Sequence, residues 1–346
     1  MLHRRVVLAA VAALSLALPA LGQTSMQPLS YDALDGWAQD DHAAALRTFS
    51  RSCASTATGD RISAEEWAAL CRAAESATDA RAFFEAAFTP VLVTDGNDPL
   101  FTGYYEPELP ASRFRTERFR FPLYKRPPEI EGRNSPWLTR EEIERGGLSG
   151  RGLELAWLED PVEAFFLHVQ GSGRLSLADG STMRVGYAGR NGHPYRSVGR
   201  YMGEAGLLPS HNLSAAAIQT WVRENGQRGL DVLNVNPSYI FFHEVEGLSP
   251  DDGPVGAMSL PVTARRSIAV DRDAVPLGLP VWVETETANG PFKRLMVAQD
   301  VGAAVKGAQR ADIFFGSGEA AFAVASRQRA GGRMVVLMPR AALAGR

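Results

Sequence analysis

Four acidic residues sit in settings that could give them chemistry. Glu106 ends Gly103-Tyr104-Tyr105-Glu106-Pro107, an aromatic pair beside a carboxylate. Asp271 follows Ser267-Ile268-Ala269-Val270, and Asp300 follows Leu295-Met296-Val297-Ala298-Gln299 and leads into Val301-Gly302. Asp312 lies between Ala311 and Ile313-Phe314-Phe315. A carboxyl group pressed against apolar side chains loses hydration, so its pKa rises and it can stay protonated near neutral pH. A general acid needs that property. Asp312 has the most apolar following sequence and is the preferred acid. For Asp271 and Asp300, an aspartate in a turn at a strand end fits as well as catalysis does. Tyr104, Tyr105, Trp157, Tyr187, Tyr195 and Tyr201 are candidates for stacking on sugar rings, although for each taken singly ordinary packing is the better reading.

Other chemistries lack their signatures. There is no H-E-x-x-H pattern, the six His are scattered, and two Cys are too few for a four-cysteine zinc site, so no metal is expected. His168 reads as a strand residue rather than a ligand. No Walker loop and no G-x-G-x-x-G occurs, so no nucleotide cofactor is expected. Gly171-Ser172-Gly173 lacks the spacing of a nucleophile elbow. It reads as a tight loop that lets another backbone or a ligand approach closely.

The elements that must position these residues change character along the chain. Residues 30–90 read as helical, with Ser63 and Glu66 forming a capping box, Thr78 capping a third helix and Pro90 stopping it. Short strands follow. Phe119, Phe121 and Leu123 alternate with Arg120 and Pro122, and 166–170, 174–178 and 182–187 read as strands, with Asp179-Gly180 as a hairpin turn. A helical pair spans about 194–234, with Ser214 as a cap and Gly226 as a stop. Strands return at 239–245, 267–271, 280–285, 294–300, 312–315 and 333–338. Many short strands at close spacing favour barrels over a parallel sheet.

At 346 residues the chain is long enough for two domains. Its 45% hydrophobic and 22% charged residues exclude a disordered chain. A net charge of -3 without a basic run argues against a nucleic-acid partner. Arg4-Arg5, the apolar Val6 to Leu18 and the small-residue end Ala20-Leu21-Gly22 predict a signal peptide over 1–22. The run is too short to span a bilayer, for which about 20 residues are needed. No cysteine follows it to accept lipid, so a periplasmic, non-acylated protein is expected, soluble or associated with the cell wall. In that oxidising compartment Cys53 and Cys71 become meaningful. Leu46, Phe49 and Cys53 share one helical face, as do Trp67, Leu70, Cys71 and Ala74. A disulfide between the two helices is expected, with two buried thiols as the alternative.

Several motifs resemble the membrane-bound lytic murein transglycosylase A family. They are Phe101-Thr102-Gly103-Tyr104-Tyr105-Glu106-Pro107, Val169-Gln170-Gly171-Ser172-Gly173, the run Tyr187 to Ser197 containing Asn191-Gly192-His193-Pro194-Tyr195, and Asn236-Pro237-Ser238-Tyr239. Ala269-Val270-Asp271, Ala298-Gln299-Asp300-Val301-Gly302 and Arg310-Ala311-Asp312-Ile313-Phe314 resemble that family's C-terminal three-aspartate (3D) domain.

The resemblance implies a mainly β fold: a double-psi β-barrel domain with N-terminal helices, formed by 23–106 and 247–346. A smaller β-barrel domain, 107–246, would be inserted, with a glycan groove between the two. It implies a peptidoglycan lytic exotransglycosylase, a lyase that leaves 1,6-anhydromuramic acid ends and needs no cofactor. Asp312 would be the catalytic acid and then base, Asp300 and Asp271 its supporting acids. Tyr104, Tyr105, Glu106, Gln170 and Gly171–Gly173 would bind the strand. Two readings compete with this one. A water-using β-1,4 glycosidase would pair Asp312 with Asp300, Asp271 or Glu106 as base. A non-catalytic glycan-binding protein would keep the aromatics and dispense with Asp312.

Overall fold

The computed structural model describes residues 24–55 and 62–344, so the expected signal peptide lies outside the described residues. The fold is mainly β with an N-terminal helical segment. Nine strands form one sheet in the order Ser25–Pro28, Phe88–Thr94, Gly332–Pro339, Pro280–Thr287, Gly290–Val301, Ser267–Val270, Arg310–Ser317, Leu100–Glu106, Arg329–Ala330. Two pairs are parallel: Ser267–Val270 with Gly290–Val301, and Arg310–Ser317 with Leu100–Glu106. Side-chain bonds curl the far edge back to form a nearly closed barrel. Thr285 Oγ1 donates to Gly331 O at 2.6 Å, and Gln328 Nε2 donates to Glu286 O at 2.9 Å. Phe101, Ile268, Val270, Val281, Val297 and Ile313 fill its core.

Six strands form the second sheet, in the order Phe121–Tyr124, Glu154–Leu158, Glu108–Ser112, Gly173–Leu177, Thr182–Arg190, Ile240–Glu244. A bridge between Lys125 and Phe242 brings its two edges together. Leu109, Leu123, Leu167, Leu175, Val185 and Phe242 pack inside it. The Asp179-Gly180 turn joins two of its strands. Gly180 sits at φ 85°, and Asp179 Oδ1 accepts from Ser181 N at 2.9 Å.

The chain leaves the first sheet at Glu106 and enters the second at Glu108. Glu106 is 1% exposed and lies between two guanidinium groups. Arg174 Nε donates to it at 2.8 Å, and Arg184 Nη2 at 2.8 and 3.1 Å. Ser317 Oγ adds a bond at 2.8 Å from the first sheet. Both arginines also donate to Asp252 O, at 2.9 Å each, on the returning segment.

The N-terminal helices brace the first barrel. Asp41 caps His42–Ser52, and the Ser63–Glu66 capping box opens Ala64–Ser76. Buried Gln299 donates through Nε2 to Ser52 Oγ at 2.8 Å and to Thr48 O at 3.2 Å. The strand that carries Asp300 is therefore tied to the helix that ends beside Cys53. Cys53 and Cys71 are bonded, with their Cα atoms 5.6 Å apart.

Local expectations differ from the structure at four points. Residues 166–170 belong to the helix Pro161–Gln170, not to a strand. Asp160 accepts from Val162 N, Pro161 supplies the first-turn φ, and Gly171 at φ 85° caps the end. His168 is therefore a helix residue. Burial holds its pKa well below the usual range, and its Nδ1 lies 3.1 Å from Arg140 Nη1. Asp79, not Thr78, caps Ala80–Ala87, because its carboxylate accepts from Ala82 N. That helix ends before Pro90, which lies within the strand Phe88–Thr94. Gly226 opens Gly226–Leu233 instead of only stopping Ala215–Glu224, and Gly229 lets the two helices cross: a Cβ there would lie 2.2 Å from Val222 O.

Closing the chain between two cysteines 18 residues apart should stabilise the fold by about 3 kcal/mol in the chain-entropy model. Thiol titration of the denatured, unreduced protein should find no free thiol, and reduction should lower the thermal midpoint. Two titratable thiols in protein taken from an oxidising compartment would contradict the bridge.

Candidate active site

The site is built by strand alternation. Successive side chains on a strand point to opposite faces. On Leu100–Glu106, Phe101 and Tyr105 enter the main core, whereas Thr102 and Tyr104 face the other way. On Arg310–Ser317, Ala311, Ile313 and Phe315 go to the core and leave Asp312 and Phe314 on that second face. Register then aligns the polar groups. Thr102 pairs with Asp312, Asp312 with Ala269, and Ala269 with Asp300, giving one row across four strands. A bulge between Ile268 and Ala269 sets the last pairing. Tyr104, Val262, Ala269 and Phe314 form a small apolar cluster around the row.

The two aspartates of this row are bonded differently. Asp300 Oδ1 accepts from Ala257 N at 3.0 Å and Val301 N at 2.9 Å, and Oδ2 accepts from the Tyr104 hydroxyl at 3.0 Å. The loop bearing Ala257 comes this close because residue 256 is glycine. A Cβ there would lie 2.9 Å from Gln299 O and 3.4 Å from Asp300 Cγ. Among the described residues the Asp312 carboxyl group accepts one hydrogen bond, from Thr102 Oγ1 to Oδ1 at 2.8 Å, which leaves Oδ2 open.

Burial raises both acids. Asp300 is pushed up to about 6, with its three hydrogen bonds opposing the rise and the charge of Asp312 adding to it. Asp312 is also raised by burial, offset by the Arg310 guanidinium and the Thr102 bond. Burial and the two nearby carboxylates push the Tyr104 phenol well above its ordinary value, so it remains a donor.

The structure thus brings Asp312, Asp300 and Tyr104 together, and adds Thr102 and Arg310, which the sequence reading missed. Thr102 lies two residues before Tyr104 in a quoted motif, so strand alternation would have exposed it. The other expected site residues are placed elsewhere. Asp271 accepts from Gly307 N at 3.0 Å and pairs with Lys306 at 3.2 Å. Glu106 is the ion-paired junction described above. Tyr105 packs on Phe322 with ring centroids 5.3 Å apart. Gln170 Oε1 accepts from Tyr105 N at 3.1 Å, which seats the helix Pro161–Gln170 against the strand carrying Tyr104. Gly171 caps that helix, and buried Ser172 leads into the next strand. At Gly173 the close neighbours are protein: a Cβ would meet Leu167 Cδ1 at 2.5 Å and Pro107 O at 3.3 Å. Among the described residues, no group of three or more His, Cys, Asp or Glu side chains is arranged to hold a metal ion.

Two family descriptions match the chain: the MltA specific insert domain over residues 100–243 and the 3D domain over residues 266–338. The membrane-bound lytic murein transglycosylase A of Escherichia coli K12 is 37% identical over 227 residues. That alignment spans 63% of this chain and 60% of the relative, so less than two thirds of the curated protein is matched. A crystal structure of membrane-bound lytic murein transglycosylase from Agrobacterium tumefaciens is 33% identical, with TM-score 0.84 over 93% of this chain and 99% of that one. The structure of E. coli MltA with bound chitohexaose is 29% identical, with TM-score 0.70 over 86% of this chain and 90% of that one.

The raised carboxyl groups have a consequence for stability. Asp300 moves from 3.8 to about 6 on folding, so it favours the folded state most below pH about 4 and loses that contribution as pH climbs through 6. Asp300→Asn should therefore flatten the decline in unfolding free energy over that window, by up to about 1.4 kcal/mol per pH unit for one proton. Urea denaturation at a series of pH values measures this. An unchanged slope would mean that Asp300 does not hold the proton.

Proposed function

Because this chain belongs to the membrane-bound lytic murein transglycosylase A family, we propose that it cleaves peptidoglycan strands between N-acetylmuramic acid and N-acetylglucosamine. The observation that carries the reading is the division of labour between the carboxylates. Asp312 keeps one oxygen open, whereas Asp300 is bonded through both oxygens and Asp271 and Glu106 are engaged with basic groups. That arrangement favours one acid working alone over an acid with a second, water-activating base.

The reaction balances with Asp312 alone. Its proton passes to the glycosidic oxygen as the bond from C1 of the muramic acid to O4 of the glucosamine breaks. The carboxylate left behind takes the proton from the C6 hydroxyl of the same muramic acid, and O6 bonds to C1. Water is neither consumed nor required. Intramolecular attack in an aligned pose has an effective molarity of about 10⁵ M or more. Thr102 holds the carboxyl group through Oδ1, and burial favours its protonated form. Asp300 holds Tyr104 and the loop at Ala257 against the row. The glycan would lie between the two barrels, whose spacing the Glu106 junction sets, with the three-aspartate barrel as the catalytic domain and 107–246 as the insert.

We also place the protein in the periplasm. Among the described residues no helix is long and apolar enough to cross a membrane, and the disulfide suits an oxidising compartment. The finer expectation, a chain without lipid, rests on Ala20-Leu21-Gly22-Gln23. Fractionation should release the protein once the cell wall is digested. Retention in a detergent-dependent membrane fraction would reveal an anchor.

Digestion of purified cell wall in heavy-oxygen water tests the reaction. The new muramic ends should be non-reducing, one water lighter than hydrolytic ends, and unlabelled. Asp312→Asn should slow their formation by at least about 10²-fold while the fold persists. Mostly reducing, labelled ends would favour the water-using glycosidase.

A further inference from the structure

We infer that Gln299 is a positioning residue of the active site: its carboxamide holds the bulge that turns Asp300 into the row beside Asp312. The inference deepens the transglycosylase reading and rests on it for the effect on catalysis. The strands Ser267–Val270 and Gly290–Val301 run parallel, with Ser267 opposite Val297, Ile268 opposite Ala298, and then Ala269 opposite Asp300. Gln299 is therefore the extra residue, with no counterpart on that neighbouring strand. In an unbroken register Gln299 would face Ala269, and Asp300 would face Val270, whose side chain lies in the barrel core. A slip of one residue sends a side chain to the opposite face. Asp300 would then point away from Tyr104 and Ala257, which bind it here. Re-aiming a side chain beside a site is what a bulge does.

The side chain of the extra residue keeps it in place. Gln299 is 1% exposed, and both ends of its carboxamide are bonded. Nε2 donates to Ser52 Oγ at 2.8 Å and to Thr48 O at 3.2 Å, both on the helix His42–Ser52. Oε1 accepts from the Ser267 hydroxyl, whose oxygen accepts in turn from Thr263 N at 2.7 Å. Ser267 opens the strand against which the bulge forms, so one carboxamide grips both sides of the irregular pairing. The Gln299 carbonyl accepts from Met258 N at 3.3 Å, one residue from the Ala257 amide that binds Asp300. The helix end is itself fixed by the bond from Cys53 to Cys71. A buried carboxamide is costly unless its hydrogen bonds are made. An apolar side chain would fill the same space without that requirement, but it could not hold helix, strand and bulge in one register.

Gln299→Met keeps the length of the side chain and removes the bonds of the carboxamide. Measured well below the thermal midpoint of either protein, kcat on purified cell wall should fall about tenfold, with KM within twofold of the wild type. A second readout separates positioning from packing. Asp300 takes up its proton on folding only while it is buried in the row. Gln299→Met should therefore flatten the decline in unfolding free energy between pH about 4 and 6 as Asp300→Asn does, and the double variant should be no flatter than Asp300→Asn alone. A residue that merely packs would lower stability equally at every pH. A slope like the wild type's, or kcat within twofold of it, would overturn the inference. If Gln299→Met does not fold, Ser52→Ala decides by the same two measurements: it removes one acceptor, leaves the carboxamide in place, and should lower kcat about threefold. If the wild type makes no anhydro ends, the transglycosylase reading fails, while the slope still decides whether Gln299 positions Asp300.

Discussion

A carboxylate enclosed by two guanidinium groups at the crossing between sheets is the constraint on which the site geometry depends. Glu106 ends the strand that carries Thr102 and Tyr104, and its partners Arg174 and Arg184 belong to the second sheet. A buried ion pair adds little net stability over an apolar equivalent, but removing one partner strands a charge at a cost of about 3–5 kcal/mol. Its value here is therefore positional. Both arginines also bind the carbonyl of Asp252, so the outgoing and returning segments are fixed at one point. Sliding one barrel past the other would break several charge-assisted bonds together. That fixes the strand carrying Thr102 and Tyr104 relative to the second sheet.

Within the first barrel, the same alternation that fills the core also creates the site. Phe101 and Tyr105 on Leu100–Glu106, and Ala311, Ile313 and Phe315 on Arg310–Ser317, are enclosed by the barrel. The intervening ones have only the small cluster of Tyr104, Val262, Ala269 and Phe314 for company. Adjacent strands lie about 4.8 Å apart, so Asp312 and Asp300, two strands apart with Ala269 between them, are separated by about twice that at the backbone. The small side chain of Ala269 leaves room for the Tyr104 ring to span the gap and reach Asp300. The N-terminal helices support this arrangement from behind, through Gln299 and the bonded Cys53.

Much of this architecture was legible in the sequence, because strand periodicity and turn chemistry are local. The C-terminal strands were found within a few residues, and Asp179-Gly180 marked its hairpin. The failures were also physical. The apolar run ending at Gln170 has no period that separates a buried strand from a buried helix, and only Asp160-Pro161 decides the matter. Asp312 could be singled out from its neighbours, but its partner Thr102 depends on parallel register across more than two hundred residues. Tyr105 and Glu106 were expected in the groove because they belong to the family motif that also holds Tyr104. On a strand, adjacency in sequence means opposite faces, and Glu106 was already engaged by arginines from another sheet. Asp271 belongs to the same motif set as Asp300, yet its strand ends one residue earlier and its carboxylate turns to Gly307 and Lys306.

Two identical side chains in one apolar patch thus acquire different capacities from their hydrogen bonds alone. Burial raises both Asp300 and Asp312. Two backbone amides and a phenol hold the Asp300 carboxylate in place, so a proton on it would displace a bond that fixes the loop at Ala257. Asp312 loses nothing comparable when it is protonated, because Thr102 occupies only Oδ1. The charge of either acid also disfavours ionisation of the other. The open oxygen of Asp312 can therefore give up and take back a proton without breaking a bond that holds the fold. For a reaction whose nucleophile arrives as part of the substrate, a second free carboxylate would bring water-activating capacity the chemistry does not use, and engaging Asp300 in hydrogen bonds removes it.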